Sequence, residues 1–155
     1  VLEEYRKVRA SEAPEAVATG LRVSGDAVLI YMERIRLADE VPVILEHRYV
    51  VADLCQAMTR RDAKGSLYEC WTKKCGLTIT GADETIHAIT APKAIAAKLG
   101  IASGAACFQI TATGHVSNDK PLWHEVTVYR ADVYEFRNRI NGLGQSRAAL
   151  GHLKD

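Results

Sequence analysis

The sequence predicts an α+β domain: a mainly antiparallel sheet flanked by short helices and built from two related halves. Three observations carry this prediction. Apolar alternation of strand period recurs along the chain, bounded by Gly, Pro, Asn and Asp turn signals. Short helical stretches open on Ser or Pro and stop at Gly. Finally, the chain matches itself at a shift of 79 residues, which lays Ser24-Gly25 on Ser103-Gly104, Ala27 on Ala106, Pro42 on Pro121, Glu46 on Glu125 and Ala52-Asp53 on Ala131-Asp132. These seven identities fall in one structural order without a gap. Two half-domains of this size cannot each bury a core, so they are expected to share one sheet with helices packed on a face.

The elements follow in order. Ser11 caps a helix with Pro14 in its first turn, ending at Gly20. After the turn Ser24-Gly25-Asp26, residues 27–37 read as a strand that places Arg34 and Arg36 on one face and Ile35 and Leu37 on the other. Ala38-Asp39-Glu40 turns the chain into a second strand, Pro42 to Val51. Ser66 caps a helix through Cys75, stopped by Gly76, with Leu67, Trp71 and Cys75 along one side. Residues 77–89 form the next strand, and Thr90, Pro92 and Gly100 bracket a further helix. A strand then runs to about Val116, a turn occupies Ser117–Lys120, a strand spans Pro121 to about Arg130, and a short strand is expected near Tyr134–Phe136. Nothing regular is assigned beyond Asn141. The chain thus divides into a linker, residues 1–13, a domain, residues 14–140, and a tail, residues 141–155.

Composition narrows the function. Twenty Lys and Arg face nineteen Asp and Glu, for a net charge of +1, and Arg60-Arg61 and Lys73-Lys74 are the main basic clusters. That balance argues against this chain gripping a phosphodiester backbone by itself. The longest evident apolar run, Ala27 to Met32, is strand-sized and far short of a bilayer span, so no membrane partner is expected. Cys55, Cys70, Cys75 and Cys107 form no CxxC and no zinc-spaced set with histidine, which leaves them as small apolar side chains in a reducing compartment. The first residue is Val1 rather than Met, as expected of a fragment of a longer protein.

Three groups of residues could carry chemistry. Arg34 and Arg36 project the same way, as two guanidinium forks suited to a carboxylate or phosphate or as a solvated strand face. Glu46 and Arg48 alternate on the next strand and could pair across to them. Ser66 and Leu67 open a helix, where free N–H groups attract an anion or are simply capped. Trp123, Glu125, Thr127 and Tyr129 line one strand face, a pocket wall or an aromatic core, with His124 pointing away. No nucleophile–base set, phosphate loop or metal motif accompanies them, so no catalytic residue, metal or cofactor is expected.

The order and spacing of several segments resemble a known family. Val28 to Asp39, followed by Pro42 and Glu46, together with Ser66-Leu67-Tyr68, Cys75-Gly76-Leu77-Thr78-Ile79, Leu99-Gly100-Ile101 and Tyr129 to Phe136, are similar to UTRA domains, the effector-sensing halves of HutC-type GntR transcription regulators. The resemblance runs from about residue 14 to 138. It implies a chorismate-lyase-like fold, a cytoplasmic homodimer, and a small anionic metabolite that modulates DNA binding, as in a repressor, through a winged-helix domain preceding this chain. It also implies effector-binding roles for Arg34, Arg36, Glu46, Ser66 and Tyr129, with Trp123 and Glu125 deciding shape and polarity. Trp123 departs from the acidic residue of sugar-phosphate-sensing relatives and favours a flatter or more apolar anion; Arg48 is a second departure. The alternatives are a chorismate-lyase-like enzyme acting on a small aromatic acid and a bare dimerisation module.

Overall fold

A computed structural model describes residues 1–139, so the tail at 141–155 and residue 140 lie outside the described residues. Six strands form one antiparallel sheet in the order β1-β2-β3-β6-β5-β4: β1 Leu2–Arg9, β2 Val28–Ala38, β3 Val41–Val51, β4 Ile79–Thr90, β5 Ala106–Val116 and β6 Lys120–Arg130. Each half supplies three consecutive strands, and the halves meet at the central β3–β6 pair.

The predicted repeat is visible in this register. A 79-residue shift maps β3 onto β6, and it maps the Glu46–Thr127 pair onto Glu125–Arg48, so the pseudo-twofold axis passes through the facing residues His47 and Val126. The two hairpin turns correspond as well. Asp39 and Glu40 have φ values of 49° and 64°, while Asn118 and Asp119 have 65° and 54°. Two successive left-handed residues match the twist of the flanking strands, and Asp and Asn tolerate that conformation better than branched residues do.

Two expectations change. Residues 1–13 were expected as a linker, yet residues 2–9 are β1, paired with β2 from Arg9↔Val28 to Leu2↔Arg34. β1 is an edge strand rich in Glu, Lys and Arg, so its sequence lacks the apolar alternation of a covered strand. The strand expected near Tyr134–Phe136 is absent. Those residues instead pack edge-on, Tyr134 against Tyr129 at 5.1 Å and Phe136 against Phe108 at 5.2 Å between ring centroids. The first helix also starts later than expected: α1 spans Glu15–Leu21, and Ala10–Glu12 forms a separate 3₁₀ turn.

The sheet is covered unequally on its two faces. On one, α1 packs over Leu29 and Tyr31, and α3, Lys93–Leu99, packs over Leu45 and Val128. Between these helices Glu33 contacts Lys98 in a close ion pair and lies 3.6 Å from His47, whose Nδ1 is 2.9 Å from the Tyr31 hydroxyl. On the other face, the long β3–β4 connection folds down over Ile30, Met32, Val50 and Leu122. Ser66 opens α2 as predicted, but α2 is only Leu67–Glu69 and passes into a π-turn at Cys70–Lys74, closed by the Cys75 N–H donating to the Cys70 carbonyl at 2.9 Å. Burying each large apolar side chain in these clusters contributes about 1.5–3 kcal/mol.

Two histidines, the buried His124 and the half-buried His47, make the fold acid-sensitive. Burial holds the His47 and His124 imidazoles below their ordinary range; the Glu33 carboxylate opposes this at His47, and the Lys98 ammonium reinforces it. The unfolded chain therefore takes up protons at about pH 6.5, before the native state does, and stability falls as pH drops from there toward the native values. The urea midpoint is expected to be flat above pH 7 and to fall between pH 6.5 and 5. A His47→Gln, His124→Gln double variant should flatten that slope.

Candidate functional site

The charged centre of the covered face is organised by one carboxylate. Arg34 and Glu46 are cross-strand partners and lie side by side on one face, with relative exposures of 7% and 3%. Oε2 of Glu46 accepts from Arg34 Nε at 2.7 Å and sits 2.6 Å from its Nη2. The remaining Arg34 nitrogen, Nη1, donates to the carbonyls of Ala63 and Gly65 at 3.3 and 3.2 Å. Arg34 is therefore fully engaged, and it ties the β3–β4 connection to the sheet. Desolvation works against its charge, lowering its affinity for the proton, while Glu46 favours it.

Arg36 differs. Its Nε lies 2.7 Å from Glu46 Oε1, but its side chain is 57% exposed. Glu46 thus neutralises Arg34 and orients Arg36 so that the outer edge of its guanidinium faces an open cleft. That cleft has a volume of about 700 Å³ and lies between the start of β1, the end of β2 and residues 63–68. Arg34, Arg36, Arg48 and Lys64 contribute to its wall, together with Ser66, Tyr68, Trp71 and Trp123, and its lining contains no Asp, Glu, Asn or Gln. Such a lining suits an anion by charge, with Tyr68 as its exposed aromatic side chain and the largely buried Trp71 and Trp123 behind it.

The other predicted residues are distributed around this centre. Ser66 lines the cleft, with its hydroxyl accepting from the Glu69 N–H at 3.2 Å as the cap of its own short helix. Trp123 lies flat on β5 at Gly114 and is covered by Trp71, their ring centroids 4.7 Å apart at an interplanar angle of 26°. It reaches the cleft only as part of this stack. Glu125 lies outside the lining, in a close and largely buried ion pair with Arg48. Burial raises the Glu125 carboxyl's affinity for a proton, and the Arg48 guanidinium pulls it back. Tyr129 is not a lining residue of the cleft; it joins Tyr134 and Phe136 in an aromatic cluster at the far end of β6. His124 turns to the opposite face as expected, with Nδ1 3.0 Å from Thr113 Oγ1.

Sequence reasoning did not assign Trp71, Arg48, Lys64 or Tyr68 to the cleft. Trp71 reads from its helical spacing as core, which it also is, at 2% exposure. Several buried polar atoms lack a hydrogen-bond partner: Nε1 of Trp71 and of Trp123, Nε of Arg48, Oγ1 of Thr127 and, beside its ion pair with Arg48, Oε2 of Glu125. The second half has no equivalent arginine pair. With Glu46 superposed on Glu125, the cross-strand position of Arg34 becomes Ala112, and that of Arg36 becomes Gly114. One half keeps the charged centre, and the other provides a flat seat for Trp123.

The sequence profile of the UTRA domain matches residues 3–135. The chain belongs to the UTRA domain family. Within it, this UTRA domain is 25% identical over 132 residues to the HTH-type transcriptional repressor NagR of Bacillus subtilis, an alignment covering 85% of this chain and 54% of that protein. Among solved structures it superposes on the possible transcriptional regulator YydK of Bacillus subtilis with a TM-score of 0.85 at 18% identity, covering 92% of this chain and 62% of the other. It also superposes on the ligand-binding domain of a putative GntR-family transcriptional regulator from Bordetella bronchiseptica, with a TM-score of 0.82 at 23% identity, covering 91% and 87%. The expected α+β, chorismate-lyase-like architecture is the one these domains share. The UTRA domain spans about half the length of NagR. Among the described residues no helix is long and apolar enough to cross a membrane.

Proposed function

We propose that this UTRA domain is the effector-sensing part of a HutC-type GntR-family repressor, cytoplasmic and homodimeric, and that it binds a small anionic metabolite without transforming it. Effector binding would shift the position of a winged-helix DNA-binding domain carried elsewhere in the regulator, which requires two conformations of unequal effector affinity. The observation that carries this reading is the half-exposed Arg36 guanidinium, held by the buried Glu46 carboxylate at the mouth of a cationic cleft. The relatives, which are regulators, favour a sensor over a chorismate-lyase-like enzyme.

Within this proposal Arg36 receives the anion, Ser66 and Arg48 border it, and Arg34 and Glu46 act as the frame. Trp123 shapes the wall, while Glu125 and Tyr129 act through Arg48 and the aromatic cluster. A ligand that binds only the folded state raises the unfolding temperature by an amount that grows with the logarithm of its concentration relative to Kd. A thermal-unfolding screen of phosphosugars, phosphonates and aromatic or imidazole acids is expected to yield at least one strongly stabilising class. Absence of stabilisation across the panel would favour a bare dimerisation module.

A further inference from the structure

We propose that the effector has a flat, apolar body: a small aromatic or heteroaromatic acid, received with its acid group on Arg36 and its ring against Trp71. This rests on the effector-binding reading above and specifies the ligand class. The cleft wall is divided between donors and hydrocarbon. Its side-chain charges are all positive, from Arg34, Arg36, Arg48 and Lys64, and apart from Ser66 its other side chains are aliphatic or aromatic. A sugar ring carries several hydroxyl donors that must find acceptors when desolvated. Here the lining has no carboxylate or carboxamide, and the Ala63 and Gly65 carbonyls already accept from Arg34. Glu46 is occupied by two arginines and Glu125 by Arg48. A phosphosugar would satisfy Arg36 but meet only the Ser66 and Tyr68 hydroxyls as side-chain acceptors for its several hydroxyl groups. A planar acid leaves no such deficit.

The same wall contains donors awaiting an acceptor. The indole N–H groups of Trp71 and Trp123, whose residues are 2% and 8% exposed, have no partner, nor does Nε of Arg48. All three side chains border the cleft. Native interiors leave few such groups unpaired. They are closed off from solvent, so a ligand lying against Trp71 reaches the indole N–H groups when the Trp71–Trp123 stack shifts, and Trp71 is carried on a five-residue π-turn rather than a regular helix. π-turns are frequent where a helix serves a binding site. A ring nitrogen, hydroxyl or carbonyl oxygen on the ligand would supply the missing acceptor, which makes Trp71 the specificity-determining residue.

The test uses the whole chain and three probes at equal concentration: 4-hydroxybenzoate, its saturated counterpart cyclohexanecarboxylate, and glucosamine 6-phosphate. Thermal unfolding reports binding, and near-ultraviolet circular dichroism reports the Trp71–Trp123 stack. The planar acid should stabilise most, change the tryptophan signal, and bind about two- to tenfold more tightly than the saturated acid, the margin an aromatic contact provides. Trp71→Leu should erase that margin, and the wild-type comparison stands even where the variant folds poorly. Stabilisation by glucosamine 6-phosphate with none by 4-hydroxybenzoate overturns this inference while leaving the effector reading intact. No response to any probe overturns it too, and the broader anion panel then decides the effector reading separately.

Discussion

Replacing Glu46 by Ala is expected to destabilise the domain by about 3–5 kcal/mol, because it leaves the Arg34 charge buried with nothing to neutralise it. Against a typical domain stability of about 5–15 kcal/mol, that is a large share of the total. The cost lies in the orphaned guanidinium rather than in the lost attraction. Two carbonyls, those of Ala63 and Gly65, still hold Arg34 in place and keep it from reaching water. Removing both charges should therefore recover much of the loss, since a buried pair replaced by apolar side chains of similar volume is often neutral or stabilising. Urea unfolding of Glu46→Ala, Arg34→Leu and the Glu46→Leu, Arg34→Leu double variant would separate these terms. A cost below about 1 kcal/mol for Glu46→Ala, the range of exposed ion pairs, would mean that Arg34 is not buried as described.

The second large effect is expected at Gly114. A Cβ there would lie 2.0 to 2.2 Å from three ring carbons of Trp123, far inside contact distance, with the ring pinned from above by Trp71. Gly114→Ala should cost about 1–3 kcal/mol through overpacking. That exceeds the few tenths to 1 kcal/mol that alanine gains by restricting the unfolded chain. The variant should also change the near-ultraviolet dichroism of the tryptophan pair. Combining it with Trp123→Leu should be clearly less than additive, because the collision requires the large ring. Additive costs would show that Gly114 is needed for some other reason.

Much of this architecture is legible in the sequence because its halves repeat the same local solutions. Pro42 and Pro121 near strand starts, and Asp39 and Asn118 in the turns, specify two equivalent hairpins by local conformational preference alone. Face assignments follow from period two, which places Arg34 and Arg36 together and turns His124 away. β1 escapes such reading because an edge strand has little apolar alternation to detect. The π-turn at Cys70–Lys74 escapes it because Leu67, Trp71 and Cys75 have ordinary helical spacing.

Of the candidate cleft, Arg34, Arg36, Ser66 and Trp123 were legible in the sequence, but not their division of labour, and Glu125 and Tyr129 fall outside its lining. Spacing brings Arg34, Arg36 and Glu46 to one face. Only the β2–β3 register reveals that Glu46 sits opposite Arg34, takes up its charge with one oxygen, and holds the exposed Arg36 by its Nε with the other. Likewise, Trp123 and Glu125 share a strand face, yet one is fixed on Gly114 and the other is claimed by Arg48. Pairing across strands depends on residues far apart in the chain, which a single-strand pattern does not encode.

The central claim is that Arg36 receives the effector while Arg34 frames the site. Calorimetric titration of the anion that best stabilises the wild-type domain, repeated on Arg36→Gln, examines this directly. A charge-assisted hydrogen bond contributes about 1.5–3 kcal/mol, so Kd should rise at least about tenfold, with little change in the urea midpoint because the side chain is largely exposed. An unchanged Kd in a folded Arg36→Gln domain would contradict it.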